Sequence, residues 1–252
     1  MQSIGQGKIF TGTSGIVLPV PNKLCYPPEF QDKSRLTYYA SLFNSIEVNS
    51  SFYKVPMAAT IKKWAESVPE NFRFTFKLWR EITHNKNLEF NPDSVFLFME
   101  RLASVGMKKG CLLVQFPPSV TSLSFRSLER LLETIHAANA EYKWQVALEF
   151  RNPSWYDDDL YQLIDNYRST LVIHDISASA TPMQEELSNE VYIRFHGPNG
   201  GYRGSYADDF LYEYAQYIKE WSDEGKTVYV YFNNTMGEAV NNLIRLNTYL
   251  AE

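Results

Sequence analysis

Residues 111–153 read CLLVQFPPSVTSLSFRSLERLLETIHAANAEYKWQVALEFRNP, and they carry the repeating unit of the chain. The run Cys111 to Phe116 is apolar apart from Gln115 and stops at Pro117-Pro118, as a buried strand does. Leu128, Leu131, Leu132 and Ile135 then recur at helical spacing. A second apolar run, Trp144 to Phe150, ends in Arg151-Asn152-Pro153. Strand, helix, strand in about forty residues is a parallel crossover unit.

The same alternation extends in both directions. Upstream are strand-like runs at 8–14, Ser45 to Phe52 and Phe72 to Leu78. Downstream are Thr170 to Ile176, Val191 to Phe195 and Val228 to Phe232. Helical faces lie between them: Leu36, Tyr39, Ala40, Phe43; Ile61, Trp64, Ala65, Val68; Leu160, Leu163, Ile164, Tyr167; Phe210, Leu211, Tyr214, Ile218; and Val240, Leu243, Ile244, Leu250. Asn91-Pro92 reads as an N-cap followed by proline in the first turn, and Thr235 to Glu238 has the form of a capping box. Eight such units predict one (β/α)8 barrel over residues 1–252. Ser177 to Glu190 shows no helical face, so the helix after strand six is expected to be short or missing. An open doubly wound sheet is the alternative architecture.

Composition narrows the function classes. The chain has 252 residues, 44% apolar and 21% charged, enough to bury a core without a disulfide or metal. Its net charge of −5 disfavours, without barring, a nucleic-acid partner, and disfavours acidic membranes. Cys25 and Cys111 form neither a disulfide framework nor a zinc-site pattern. No run approaches the ~20 apolar residues of a membrane span, and the first ten residues show no secretory signal. A cytoplasmic location is expected, with no membrane partner.

Polar residues gather near the carboxyl ends of the strand runs: Ser14, Glu47, Asn49, Lys77, Gln115, Glu149, Arg151, His174, Asp175, Arg194, His196, Asn233 and Asn234. That face of a barrel carries its chemistry. Residues two apart share a strand face, which pairs Glu47 with Asn49, Glu149 with Arg151, and Arg194 with His196. The expected site holds a phosphate- or carboxylate-bearing ligand, small or oligomeric, on Lys77, Arg151 and Arg194. Glu47 or Asp175 is the candidate base and His196 the candidate acid. Asn49, Gln115, Glu149 and Asn233 complete the lining. Lys77, one strand away, is the expected partner of Glu47, and a Glu149–Arg151 ion pair is the plainer reading of that pair. Hydrolysis or isomerisation is the expected chemistry. A metal-using nucleic-acid processing protein and a non-catalytic anion-binding module are the alternatives. His84, His174 and His196 lie at no short ligand spacing, so no metal is assigned, and no motif names a cofactor. His136 reads as a surface residue. Gly197 to Ser205 is glycine-rich but lacks the G-K-[ST] of a phosphate-binding loop.

These strand ends also carry a family pattern. Gly12-Thr13-Ser14-Gly15, Phe43 to Tyr53, Phe74 to Lys77 with Ile82-Thr83-His84, Gln115-Phe116-Pro117-Pro118, Glu149 to Trp155, Arg194-Phe195-His196-Gly197 with Tyr202 and Gly204, and Tyr231 to Asn234 occur in family order. In them the chain resembles the YecE-like family, domain of unknown function seventy-two. The family's usual Gly-Trp after the first strand is Gly15-Ile16 here. The resemblance implies a TIM-type barrel. It implies little about activity, although some relatives have been likened, by fold, to endonuclease IV and sugar-isomerase barrels.

Overall fold

A computed structural model describes residues 7–182 and 188–252. The strands are β1 (Ile9–Thr13), β2 (Ser45–Val48), β3 (Arg73–Lys77), β4 (Lys109–Phe116), β5 (Gln145–Phe150), β6 (Thr170–His174), β7 (Glu190–Phe195) and β8 (Thr227–Phe232). The helices are α1 (Arg35–Leu42), the single turns α2 (Ser50–Tyr53) and α4 (Arg80–Thr83), α3 (Ala58–Glu66), α5 (Pro92–Leu102), α6 (Phe125–Ala138), α7 (Asp158–Asn166), α8 (Asp208–Asp223) and α9 (Ala239–Ala251). No helix joins β6 to β7 among the described residues, and 183–187 lie outside them.

All strands are parallel, in the order β1-β8-β7-β6-β5-β4-β3-β2. Ile9 to Thr13 pair with Val228 to Phe232, so the first and last strands are neighbours rather than opposite free edges. The barrel closes between β1 and β2, where the ladder is reduced to one bridge, Ser14 to Glu47. Side chains replace the missing backbone bonds. The Tyr39 hydroxyl accepts the Thr13 N–H at 2.7 Å and donates to the Ser45 carbonyl at 3.1 Å. Asn44 accepts from the Thr11 N–H at 2.8 Å and donates to the Ile9 carbonyl at 2.9 Å. The strands approach so closely that a Cβ on Gly12 would lie 2.1 Å from the Ser45 oxygen.

Two apolar layers follow from the strand period of two. The large outer layer packs strands against helices, for example Phe74, Phe76, Val114 and Leu148 against Phe98, Leu128 and Leu131. A smaller cluster, Phe10, Cys111, Leu113, Ala147, Val172, Tyr192, Tyr229 and Tyr231, fills the lumen. Its tyrosines carry hydroxyls that need partners inside the barrel. Tyr231 bonds Ser45 Oγ at 2.6 Å and Thr75 Oγ1 at 2.9 Å.

One local expectation, the Asn91 cap, holds and two change. Asn91 caps α5 through the Asp93 N–H, with Pro92 in its first turn. Asp157 caps α7 and Ser34 caps α1. The capping box expected at Thr235 to Glu238 does not form: α9 starts at Ala239, and Glu238 at its N-cap makes no side-chain capping bond. Instead this segment clamps the glycine-rich loop. Met236 and Glu238 donate backbone N–H groups to the Tyr202 and Gly204 carbonyls at 3.0 and 3.1 Å. The second strand also ends early, at Val48, because Asn49 turns into the helical region (φ −76, ψ −21) to start α2.

Candidate functional site

A ring of charge caps the lumen at the carboxyl ends of the strands. Glu47 on β2 and Glu149 on β5 are both fully buried. Arg194 on β7, 1% exposed, joins them: one guanidinium nitrogen bonds Glu47 Oε1 at 2.7 Å and the other bonds Glu149 Oε2. Arg151 bonds the remaining Glu149 oxygen through Nε and reaches His196 Nε2 at 2.8 Å. Glu47 also accepts from Ser14 Oγ at 2.7 Å and from the Tyr192 hydroxyl at 2.6 Å. The two carboxylates and two guanidinium groups balance, which is what makes such depth tolerable for four charges.

The electrostatics follow. Burial opposes ionisation of Glu149, but the charges of Arg151 and Arg194 outweigh it and hold the carboxyl well below the ordinary range. Glu47 is lowered in the same way: burial is outweighed by Arg194 and by hydrogen bonds from Tyr192, Arg194 and Ser14. Both are therefore carboxylates at neutral pH. The expected Glu47–Lys77 pair does not form. Arg194 reaches Glu47 from across the lumen instead, since its planar fork can bridge two carboxylates at once.

Lys77 stands apart. Among the described residues it has no carboxylate in ion-pair distance, and its Nζ lies 4.1 Å from the centroid of the Phe52 ring. Burial, then the charge of Arg194, pushes its pKa down to about 8. His84 packs edge-on against the same Phe52 ring at 4.8 Å. Burial and the Lys77 charge lower it to about 4, so it is neutral.

The third group is Asp175 with His196. The Arg151 guanidinium can only donate, so His196 Nε2 accepts and the neutral ring carries its proton on Nδ1. That nitrogen lies 3.3 Å from Asp175 Oδ1, in contact but poorly aligned for a hydrogen bond. Burial above all keeps His196 at about 4. Asp175 is fixed by the His196 backbone N–H at 2.8 Å and by the Tyr206 hydroxyl, which itself accepts the Gly197 N–H. Asp175 lies just past the end of β6, so strand alternation no longer governs it, and both it and His174 enter the cluster.

A cleft of about 280 Å³ opens above this layer, lined by Asn49, Phe52, Lys77, Arg151, Arg194 and Asn233, with Tyr53, Tyr202, Thr235 and Met236 at its rim. Two buried polar atoms of its lining, Asn49 Oδ1 and Arg194 Nε, have no hydrogen-bond partner among the described residues. Gln115 is buried beside Glu149 in the β4–β5 register and does not line the cleft. Asn234 points elsewhere and bonds the Gly204 carbonyl and Asn242 at 3.0 Å each. Asn49, though in the cleft, is the N-cap residue of α2 and not on the strand face of Glu47.

Glu149, His174 and His196 place potential ligand atoms within 4.8 Å of one another. Their donor atoms are already engaged. His174 Nε2 donates to the Phe150 carbonyl at 3.0 Å, and its Nδ1 accepts the Ile176 N–H at 3.3 Å. Glu149 holds two guanidinium groups. A cation here would have to displace both, so the cluster as built does not suit a metal. Tyr192 and Tyr206, which fix Glu47 and Asp175, were not singled out by sequence; Tyr192 was within reach, since it shares a strand face with Arg194.

The model of the family described as "Protein of unknown function DUF72" matches residues 10–252. The UPF0759 protein YunF of Bacillus subtilis is 26% identical over 249 residues, covering 84% of each chain. The UPF0759 protein YecE of Escherichia coli is 28% identical over 121 residues, 48% of this chain and 43% of its own. The crystal structure of a DUF72 family protein from Enterococcus faecalis superposes with a TM-score of 0.78 at 23% identity, covering 97% of this chain and 96% of that one. Barrel, strand-end motifs and family model agree: this chain belongs to the DUF72 family.

Proposed function

We propose that the cleft binds a small organic anion, bearing a carboxylate or phosphate, and acts on it by proton transfer, as an isomerase or hydrolase does. The observation that carries this reading is Lys77. It is a cation at the wall of a polar cleft, at the end of a barrel strand, with no carboxylate in ion-pair distance among the described residues. The unpaired Arg194 Nε and Asn49 Oδ1 add a donor and an acceptor beside it, and Asn233 a further polar contact.

Roles divide accordingly. Glu47 and Glu149 position Arg194 and Arg151, and Gln115 lies beside Glu149 on the next strand. Glu47 accepts bonds on both oxygens, so it serves as a base only after losing one. In Asp175–His196, the carboxylate lies against the Nδ1 side and Nε2 keeps the lone pair, so His196 acts first as a base rather than as the acid expected from sequence, and Arg151 covers it until substrate arrives.

The test is a thermal-shift titration with inorganic phosphate and with glycolate, for wild type and for Lys77→Met. An anion at about one hundred times its Kd adds roughly 2.7 kcal/mol of stability, several degrees in a chain of this size. The shift should vanish in Lys77→Met and persist in Lys62→Ala, which alters an exposed helical lysine. An undiminished shift in Lys77→Met would overturn the reading. Solvent-deuterium incorporation into a bound substrate, once one is found, separates catalysis from mere anion binding.

A further inference from the structure

The surroundings of Lys77 do more than present a positive charge. A site built only to hold an anion gains by keeping its lysine fully protonated, most simply with a carboxylate behind it. Two carboxylates are available on β2 and β5, yet Glu47 and Glu149 are both turned to guanidinium groups. Two arginines line the same cleft as the buried amine, and its Nζ sits over the Phe52 ring, whose face favours the protonated form against the burial and the arginine charges that oppose it. Burial and neighbouring cations are the surroundings that release a nucleophilic amine from its proton.

We propose that Lys77 is a covalent nucleophile that condenses with the aldehyde or ketone carbonyl of an anionic substrate to form an imine. This rests on the anion-binding reading of the cleft and adds the substrate class, an oxo acid or a phosphorylated carbonyl compound. The neutral amine adds to the carbonyl carbon, giving a carbinolamine. The C–O bond then breaks and the oxygen leaves as water, taking up a proton. In sum, one ammonium and one carbonyl give one protonated imine and one water, with no oxidant or reductant. The iminium withdraws electrons from the adjacent carbon, and a base can then take a proton there. The neutral His84, whose ring shares Phe52 with Lys77, and the lone pair of His196 are the bases at hand.

The Lys77 environment also bears on rate. Its pKa of about 8 leaves a sizeable neutral fraction at pH 7.5, where an ordinary lysine has almost none. The experiment uses glyoxylate as the anionic carbonyl probe, with cyanoborohydride to trap the imine as a stable secondary amine. The intact protein is labelled, then digested, and peptide mass spectrometry reads each lysine in turn. Glycolate, the same anion without the carbonyl, is the competitor. The expected result is labelling of Lys77 at least about tenfold faster than exposed lysines such as Lys62, and slowed by glycolate. Lys77→Arg should keep the glycolate-induced thermal shift while its other lysines label at the wild-type rate. If glycolate raises the melting temperature through Lys77 but the residue labels no faster than Lys62, the imine is overturned and the anion site stands. If glycolate neither shifts the melting temperature nor protects Lys77, both readings fall together.

Discussion

Glu47→Gln isolates one charge in the strand-end network. The amide has nearly the same shape as the carboxylate, and its oxygen can keep facing Ser14 and Arg194. The Tyr192 hydroxyl can rotate to accept from the new NH2, so few hydrogen bonds are lost. What is lost is charge. At a charge separation of ~4 Å and an effective dielectric of ~20, the attraction to Arg194 is about 4 kcal/mol. Removing the carboxylate also removes its own desolvation cost, but the guanidinium stays buried with one counter-charge where it had two. Breaking such a pair typically costs ~3–5 kcal/mol. At ~2–4 °C per kcal/mol for a chain of this size, the melting temperature should fall by roughly 6–20 °C. Differential scanning calorimetry with urea titration measures it. Tyr192→Phe is the control: it removes one hydrogen bond to the same carboxylate, keeps the charge, and should cost ~1 kcal/mol. If Glu47→Gln melts no lower than Tyr192→Phe, the charge balance is not what holds this layer together.

Further outcomes follow from the same geometry. Stability should decline as pH falls from 6.5 toward 4, because His84 and His196, at about 4 when folded, stay neutral while the unfolded chain takes up their protons. His84→Asn should flatten part of that limb in pH-dependent melts. A second decline should begin below about pH 4.5, as the lowered carboxyls of Glu47, Glu149 and Asp175 protonate through their folded values, and Glu47→Gln should lessen it. At the seam, Tyr39→Phe strips a partner from the Thr13 N–H and the Ser45 carbonyl and should cost ~1–3 kcal/mol. Gly12→Ala, with its Cβ 2.1 Å from the Ser45 oxygen, should be worse; a variant as stable as wild type by calorimetry would disprove the close approach.

The barrel was legible because its signal is periodic. Cys111 to Phe116 and Trp144 to Phe150 announce themselves as strands with no knowledge of what they pair with, and the crossover rule supplies the rest. The ring of charge was half legible. Period two put Glu149 with Arg151 and Arg194 with His196, and both pairs meet in the site. Asn49 was placed on the Glu47 face because the strand was read through Phe52, and nothing local in Asn49-Ser50-Ser51 announces the helical turn that removes it. The Glu47 partner was read as the nearest cation by strand count. A long arginine spans the lumen, and that reach depends on barrel diameter, which no local pattern encodes. Tyr206 is harder still: it arrives from a loop after β7 to fix Asp175 after β6.

These geometries separate two jobs that a list of polar residues blurs together. Glu47, Glu149, Arg151 and Arg194 pair with one another across three strands, and their net charge cancels. Such a layer acts as a floor: Tyr192 of the lumen bonds it through Glu47, and Arg151 and Arg194 line the cleft above it. Lys77 sits on that floor without belonging to it, outside ion-pair distance of any carboxylate among the described residues and next to unpaired polar atoms. Substitutions in the floor should therefore lower stability first and activity as a consequence. Lys77 should behave the opposite way. Its burial and the charges of Arg194 and Arg151 outweigh the attraction of Glu149 and Glu47, so replacing it with methionine should leave the melting temperature unchanged or raise it, while abolishing ligand binding. Stability gained where function is lost is the signature of a residue kept for its chemistry. A Lys77→Met protein that melts several degrees lower would assign the lysine to the floor instead.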